Sequence, residues 1–385
     1  MFKISRLNKS RLANWWWTVD KMTLGVVLAI MFIGSFLLSS ASPSVARKLI
    51  MHKNANISEY HFIIKQIPFL FLSVISIVVL SMLNLKTTRR LAIIGYIGAL
   101  FLTIATIFVG FETKGSSRWI SLGFMSLQPS EFIKPTFVVV SAWLMEGSKK
   151  CKDFPGNLLS FGLLCITVSA LLLQPDLGMT IVVTVVWGFQ LFLTGIPMLL
   201  IMAIIVVLCT IGLGAYLAFD HVQFRINTYL SSIFSPENGL PYQIRTSLKA
   251  FENGNLLGKG PGEGVVKLKL PDAHTDFIFS VAGEEFGVVL CTILVILFSV
   301  VVIRTLVLST KENNLFIVYA SAGLAASFGL QAIVNMASST SLGPTKGMTL
   351  PFVSYGGSSL LASALCIGML LAITRKNSAA EDKDF

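Results

Sequence analysis

Charge is what this sequence has least of. Only 13% of its 385 residues are Asp, Glu, Lys or Arg, while 54% are hydrophobic, a balance outside that of ordinary soluble domains. Acids are scarcer than bases, 19 against 30, which leaves a formal net charge of +11. No basic soluble face accompanies that excess, so no nucleic-acid partner is expected, and the charge is ascribed to topology and anionic lipid. Cysteine is sparse as well. Of the five, Cys165, Cys209, Cys291 and Cys366 fall in apolar runs and Cys151 in a loop, with neither a disulfide framework nor metal-ligand spacing.

Long apolar runs are abundant. A membrane-crossing helix needs about 20 mostly apolar residues, and by that rule the sequence predicts an all-α polytopic membrane protein of about ten spans. They lie near 22–41, 61–83, 91–110, 131–147, 157–173, 178–195, 197–219, 278–303, 315–337 and 352–374. The fourth to sixth are short and close together, so nine is the alternative count. The first resembles a signal peptide but is longer than the apolar core of one, and reads as an uncleaved anchor. Trp15, Trp16 and Trp17 before it suit an interfacial belt. Basic residues mark the cytoplasmic loops: Lys86, Arg89 and Arg90, then Lys149, Lys150 and Lys152, then Arg304 and Lys311, then Arg375 and Lys376. The expected topology is therefore N-in and C-in. A cytoplasmic segment spans 1–21, the transmembrane domain 22–376 and a cytoplasmic tail 377–385, with a large extracytoplasmic loop, 220–277, between spans seven and eight.

That loop is polar and glycine-rich, and its acids and bases balance. Within it, "PYQIRTSLKAFENGN" places Ile244, Leu248 and Phe251 at helical spacing with Gly254 to end the run, predicting a short helix at the outer surface. "GKGPGEGV" follows. Its glycines lack the strand-to-helix context of a phosphate-cradling loop, so a flexible turn is the expectation.

Three charged constellations interrupt the apolar runs. "LPDAHTDFIFSVAGEE" sets Asp276 at the outer boundary of the eighth span. Asp276 is read either as a helix N-cap or as a general base or substrate ligand. Glu284 and Glu285 lie two turns deeper, about 12 Å along the axis, too far to form the carboxylate pair of a retaining glycosidase. They are expected to support packing or a polar cavity. His274 reads as a hydrogen-bonding neighbour of Asp276. "KGSSRWISLGFMSLQPSEFIKP" carries Arg118, Gln128, Glu131 and Lys134. The last two are spaced for a local ion pair facing an internal cavity, and Arg118 for a phosphate or the headgroup region. In "SLGPTKGMTLPFVSYGGSS", prolines and glycines break the backbone, which is tolerated at membrane depth where it lines a cavity. Lys346 would sit at its mouth, with Ser354, Tyr355 and Ser358 as lining. Lys65, Gln66 and Asp176 are weaker candidates.

Together these stretches resemble one family. "RWISLG" with "QPSEFIK", "LQPDLG", "LPDAHTDFIFSVAGEEFG" and "PTKGMTLPFVSYGGSS" are similar in order and spacing, from about residue 22 to 376, to the signatures of the SEDS proteins of shape, elongation, division and sporulation. The last stretch resembles the division branch more than the elongation branch. Departures are small: Asp272, Gly343 before Pro344, and an extra Pro261 in the glycine run.

The resemblance implies a ten-helix peptidoglycan glycosyltransferase in the bacterial cytoplasmic membrane. It would polymerise lipid II at the outer face, for septal synthesis at the division site, beside a class B penicillin-binding protein that crosslinks the product and with other divisome membrane proteins. The family's catalytic aspartate corresponds to Asp276. An α-linked donor and a β-linked product call for one displacement with inversion, in which Asp276 takes the proton of the acceptor sugar's 4-hydroxyl. Arg118, Lys134, Arg245 and Lys346 are the candidates to receive the departing diphosphate, with Gln128, Glu131, His274 and Ser354 as further substrate-binding residues. No protein metal site is expected, although a divalent cation, Mg2+ or Mn2+, is a candidate assistant. Two other readings stand beside this one: a lipid II flippase, and a scaffold that recruits a penicillin-binding protein. The outer-boundary position of Asp276 favours the enzyme.

Overall fold

The computed structural model describes residues 10–53, 58–113, 116–121, 123, 126–197, single positions between 199 and 227, 241–343 and 347–376. Helices α1 (Arg11–Thr18), α2 (Lys21–Lys53), α3 (His61–Ser81) and α4 (Leu85–Val109) come first. After a short sheet come α5 (Pro129–Lys150), α6 (Gly156–Leu173) and α7 (Leu177–Leu193). The second half holds α8 (Tyr242–Gly254), α9 (Ile278–Ser309), α10 (Leu315–Ser339) and α11 (Gly357–Ile373). Every expected span but the seventh falls on one of these helices. The seventh lies largely outside the described residues, as do 1–9, 220–222, 228–240, Lys346 and the tail 377–385.

Among the described residues, α2, α3, α4, α6, α9 and α10 are long and apolar enough to cross a membrane, and α7 and α11 are shorter apolar helices. Their outward faces are apolar, with Phe71, Phe101, Ile94, Phe108, Ile296 and Ile303 all exposed. Polar side chains turn inward instead: Gln66, Thr103, Gln190, Gln331 and Asn335 are buried. That arrangement suits a lipid-solvated bundle with a polar interior.

The α4–α5 connection adds a small sheet to the predominantly helical fold that the sequence predicts. β1 (Phe111–Thr113), β2 (Ser116–Ser121) and β3 (Ser126–Leu127) form an antiparallel sheet in that order, with Phe111 opposite Trp119 and Ile120 opposite Leu127. The segment is too polar to continue a span, and its short runs lie between glycine-containing turns, a hairpin pattern.

Among the described residues, α10 packs against α5, α7, α9 and α11. Ala320, Ser321, Ala322, Gly323 and Ala325 let neighbours approach its backbone closely; a Cβ on Gly323 would meet Val138 and Gln190.

α9 is two helices joined at a break. Gly287 has φ 68 and ψ −167, backbone open essentially to glycine alone, and the helical hydrogen bonds lost there are replaced by the loop that precedes α9. Lys259 N–H and Gly260 N–H donate to Glu284 O and Glu285 O at 3.0 and 2.9 Å, while Val288 N–H and Val289 N–H donate to Asn255 O and Leu256 O at 3.1 and 3.3 Å. The loop is thus spliced into the helix, and satisfies backbone groups that the bilayer would leave bare.

The two ends of the described chain meet, since Lys376 N–H donates to Thr18 O at 3.1 Å. At that same end, Arg304 of α9 holds Asp20 through Nε and Nη2 at 2.7 and 2.6 Å.

Candidate active site

Asp276 lies in the turn that leads into α9. Thr275, Asp276 and Phe277 all donate their N–H groups to Asp272 O, at 3.1, 3.1 and 3.3 Å, and Asp272 itself has φ 52. The N-cap of α9 is Phe277, with no side-chain capping bond. The N-cap position that is one reading of Asp276 is therefore taken by Phe277. Asp276 is partly exposed, and Ala273 before it and Phe277 after it are buried.

The broken backbone ahead of α11 packs directly on this turn. A Cβ on Gly347 would stand 3.0 Å from Asp276 Oδ2. Ser354 donates its hydroxyl to Thr275 O at 2.5 Å and accepts from Leu350 N–H at 2.8 Å, and Tyr355 N–H donates to His274 O at 2.9 Å. Gln66 of α3 brackets the far end, with Nε2 to Ser354 O at 3.5 Å and Gly356 N–H to Oε1 at 3.3 Å. From α2, Gly34 lets the backbone at Phe352 and Val353 approach, where any side chain would overlap. The sequence reading set Ser354 among the substrate-binding residues; its hydroxyl is buried and holds the aspartate turn to the break.

His274 stacks beside the aspartate among aromatic rings, 4.5 Å from Phe62 and 5.4 Å from Tyr355. Phe62 and Tyr355 meet edge to face at 5.2 Å. These rings wall one side of the site with apolar surface on which an imidazole can lie.

Glu131 and Lys134 pair as their spacing predicts, Nζ to Oε2 at 2.7 Å, and both are buried. Lys134 also donates to Gln331 Oε1 of α10 at 2.5 Å. Gln331 Nε2 in turn donates to Thr349 O at 3.0 Å, so the ion pair reaches the broken segment through one amide. A small cavity beside it is lined by Ser327, Phe328, Ser363 and Cys366.

The other candidates lie elsewhere. Arg118, on β2, donates to Gln174 O at 3.1 Å and Pro175 O at 2.5 Å and stands 3.7 Å from Asp176 Oδ1. Its guanidinium thus staples the sheet to the α6–α7 turn, and Asp176 caps α7 through Met179 N–H at 3.3 Å. Gln128 precedes α5 and donates to Ser130 Oγ at 3.2 Å. Arg245 is exposed on α8, the helix expected in the outer loop, which seats Ile244 and Phe251 against α9. Lys346 is outside the described residues.

Glu284 and Glu285 bond to the loop that precedes α9 and not to the Asp276 turn. Glu284 accepts from Asn253 Nδ2, Val266 N–H and Lys267 N–H at 2.9, 2.7 and 2.8 Å. Glu285 forms a buried ion pair with Lys267 and accepts from the Ser40 hydroxyl. Sequence reasoning missed Lys267, Gln331 and Asn335. The first was one base among several in a polar loop, and the amides looked like ordinary span residues, although their i, i+4 spacing was a readable signal.

Among the described residues no three His, Cys, Asp or Glu side chains converge to hold a metal, and a single carboxylate makes a poor site by itself.

The family model of FtsW, RodA and SpoVE, described as a cell cycle protein, matches residues 20–379. The chain is 39% identical over 377 residues to the probable peptidoglycan glycosyltransferase FtsW of Caulobacter vibrioides, covering 98% of this chain and 94% of that one. It is 33% identical over 371 residues to the protein of the same name from Coxiella burnetii, covering 93% and 96%. Among solved structures it resembles a chain of a peptidoglycan synthase complex described as coordinating polymerization and crosslinking, with TM-score 0.74, 25% identity and coverage of 92% and 97%. The rod shape determining protein RodA of Thermus thermophilus is similar at TM-score 0.67 and 26% identity, covering 93% and 97%.

Proposed function

Because the chain belongs to the FtsW/RodA/SpoVE family, we propose that Asp276 is the general base with which it polymerises lipid II. The protein is a multi-pass membrane protein and a peptidoglycan glycosyltransferase. The observation that carries the assignment of the base is the setting of Asp276, a partly exposed carboxylate on a turn fixed by backbone bonds and pressed against Gly347.

In the reaction, the carboxylate accepts the proton of the acceptor's 4-hydroxyl as that oxygen attacks the anomeric carbon of the donor. The bond to the lipid diphosphate breaks on the opposite face, the configuration inverts, and the diphosphate departs with the bonding electron pair. Exposed Arg245 and Lys346 are the cations placed in this reading to meet it, whereas Arg118 and Lys134 act by holding the scaffold. The outer face of the cytoplasmic membrane at the division septum is the place of action, with a class B penicillin-binding protein as partner to crosslink the strand.

The test is to purify the protein with that partner, supply labelled lipid II and compare wild type with Asp276→Asn on a gel that resolves glycan polymers. Loss of a general base lowers turnover by about 10²–10⁴-fold. Polymer from both proteins removes Asp276 from the role. Polymer from neither, under conditions where a known polymerase works, moves lipid II flipping or scaffolding ahead.

A further inference from the structure

α10 presents two amides one turn apart to the backbone and scaffold around the site. Asn335 is 1% exposed and donates both Nδ2 hydrogens to carbonyls, Asp276 O at 2.9 Å and Met348 O at 2.6 Å. Both contacts are acceptors, so the orientation of the amide is fixed by chemistry. Ser280 N–H, which an unbroken helix would direct to Asp276 O, bonds Phe277 O at 3.0 Å instead, and the Asp276 carbonyl is taken by Asn335. Gln331 sits four residues earlier and joins Lys134 Nζ to Thr349 O. Asp276, Met348 and Thr349 are thereby tied to one helix.

We propose that Asn335 and Gln331 are positioning residues for glycosyl transfer. Asn335 sets how far the Asp276 turn stands from the 347–350 segment, and Gln331 carries the buried Glu131–Lys134 pair into the same clamp. The proposal rests on Asp276 being the base. Its physical content is that the carboxylate is placed through its own backbone: the Asn335 amide fixes the carbonyl of residue 276, and on the other side the missing side chain of Gly347 makes room for the carboxylate, since a Cβ there would stand 3.0 Å from Oδ2. A displacement of about 1 Å at a reacting group costs about 100-fold in rate, so the clamp governs turnover and leaves the long lipid tails and their binding untouched.

The experiment measures kcat and KM for labelled lipid II, with melting temperature, on the full chain with its penicillin-binding partner. The variants are Asn335→Ala, Asn335→Ser, Gln331→Glu, Gln331→Met and, in the same series, Asp276→Asn. The expected result is a kcat about 100-fold lower for Asn335→Ala, KM within about twofold, a lowered melting temperature that does not scale with the kcat loss across the series, since two carbonyls lose a buried donor, and partial recovery in Asn335→Ser, which restores one donor. Gln331→Glu keeps an acceptor for Lys134 but loses the donor to Thr349, so it is expected to fall with Gln331→Met; wild-type turnover in Gln331→Glu removes Gln331 from the clamp. A kcat loss that only tracks lost melting temperature overturns the proposal, as does a KM increase at constant kcat. Asn335→Ser serves if Asn335→Ala does not fold. Wild-type turnover in Asp276→Asn removes the base on which the clamp acts, whereas full turnover in Asn335→Ala beside an inactive Asp276→Asn removes the clamp alone.

Discussion

Gly347 stands so close to Asp276 that a Cβ on it would lie 3.0 Å from Oδ2, tighter than nearly all real contacts of its kind. One side must then give. The carboxylate is the mobile party, since Asn335 holds the neighbouring carbonyl of Met348. Gly347→Ala is therefore expected to cut polymer formation about tenfold or more by shifting the base, with melting nearly unchanged. Undiminished turnover would show that the carboxylate works from another position.

The second prediction concerns the splice in α9. Gly287 has φ 68, and a Cβ there would overlap Leu256 O of the inserted loop. Backbone strain alone costs about 1–3 kcal/mol for a residue with a side chain, and the overlap adds to it. Gly287→Ala should lower the melting temperature and open 255–260 to hydrogen exchange. The check is exchange protection at Lys259 and Gly260, whose N–H groups bond Glu284 O and Glu285 O; retained protection means that the loop holds without the glycine.

The sequence made the helices and the aspartate legible, and the reasons are physical. Lipid imposes length and apolarity on each span, so periodicity and hydropathy located α2 to α7 and α9 to α11. Asp276 stood out because an acid at an apolar boundary is costly. What stayed hidden was backbone chemistry. Nothing in "GEEFGVV" distinguishes a packing glycine from the one at which four bonds to a loop some 28 residues upstream replace two helical ones. Arg118 looked like a phosphate ligand because its partners are carbonyls, which carry no side-chain signature. The sheet at 111–127 was hidden by its brevity. Gln331 and Asn335 were readable as two amides four apart in an apolar span, a costly arrangement that invites a search for partners.

The buried Lys267–Glu285 pair gives a third prediction. Both side chains are almost wholly inaccessible, and Lys267 also donates to Ser40 O at 3.2 Å. Removing one partner leaves the other charge buried, at a cost of about 3–5 kcal/mol. Lys267→Met should therefore destabilise strongly, and adding Glu285→Gln should recover much of the loss. A double variant no better than the single one would mean that the loss comes from the packing of Lys267 and its bond to Ser40 O, not from a stranded Glu285 charge.

The fourth prediction lies at the opposite end of the bundle and turns on pH. Burial pushes the Asp20 carboxyl up, but hydrogen bonds from Arg304 and Thr23, with the guanidinium charge, outweigh it and hold the group below its ordinary value. A depressed carboxylate stabilises the fold above its unfolded pKa, about 3.9, and that contribution is lost as pH falls through the folded value. Arg304 remains partly exposed, so solvent screening limits the pair to about 1 kcal/mol. Asp20→Asn should thus melt slightly lower than wild type at pH 7, and the difference should shrink on acidification below pH about 4, where wild type loses the charge that the variant never had. Melting curves of both proteins in the same detergent between pH 3 and 7 decide it. A constant gap across that range would mean that Asp20 acts by capping α2 through Thr23, 2.5 Å from its carboxylate, and not by its charge on Arg304.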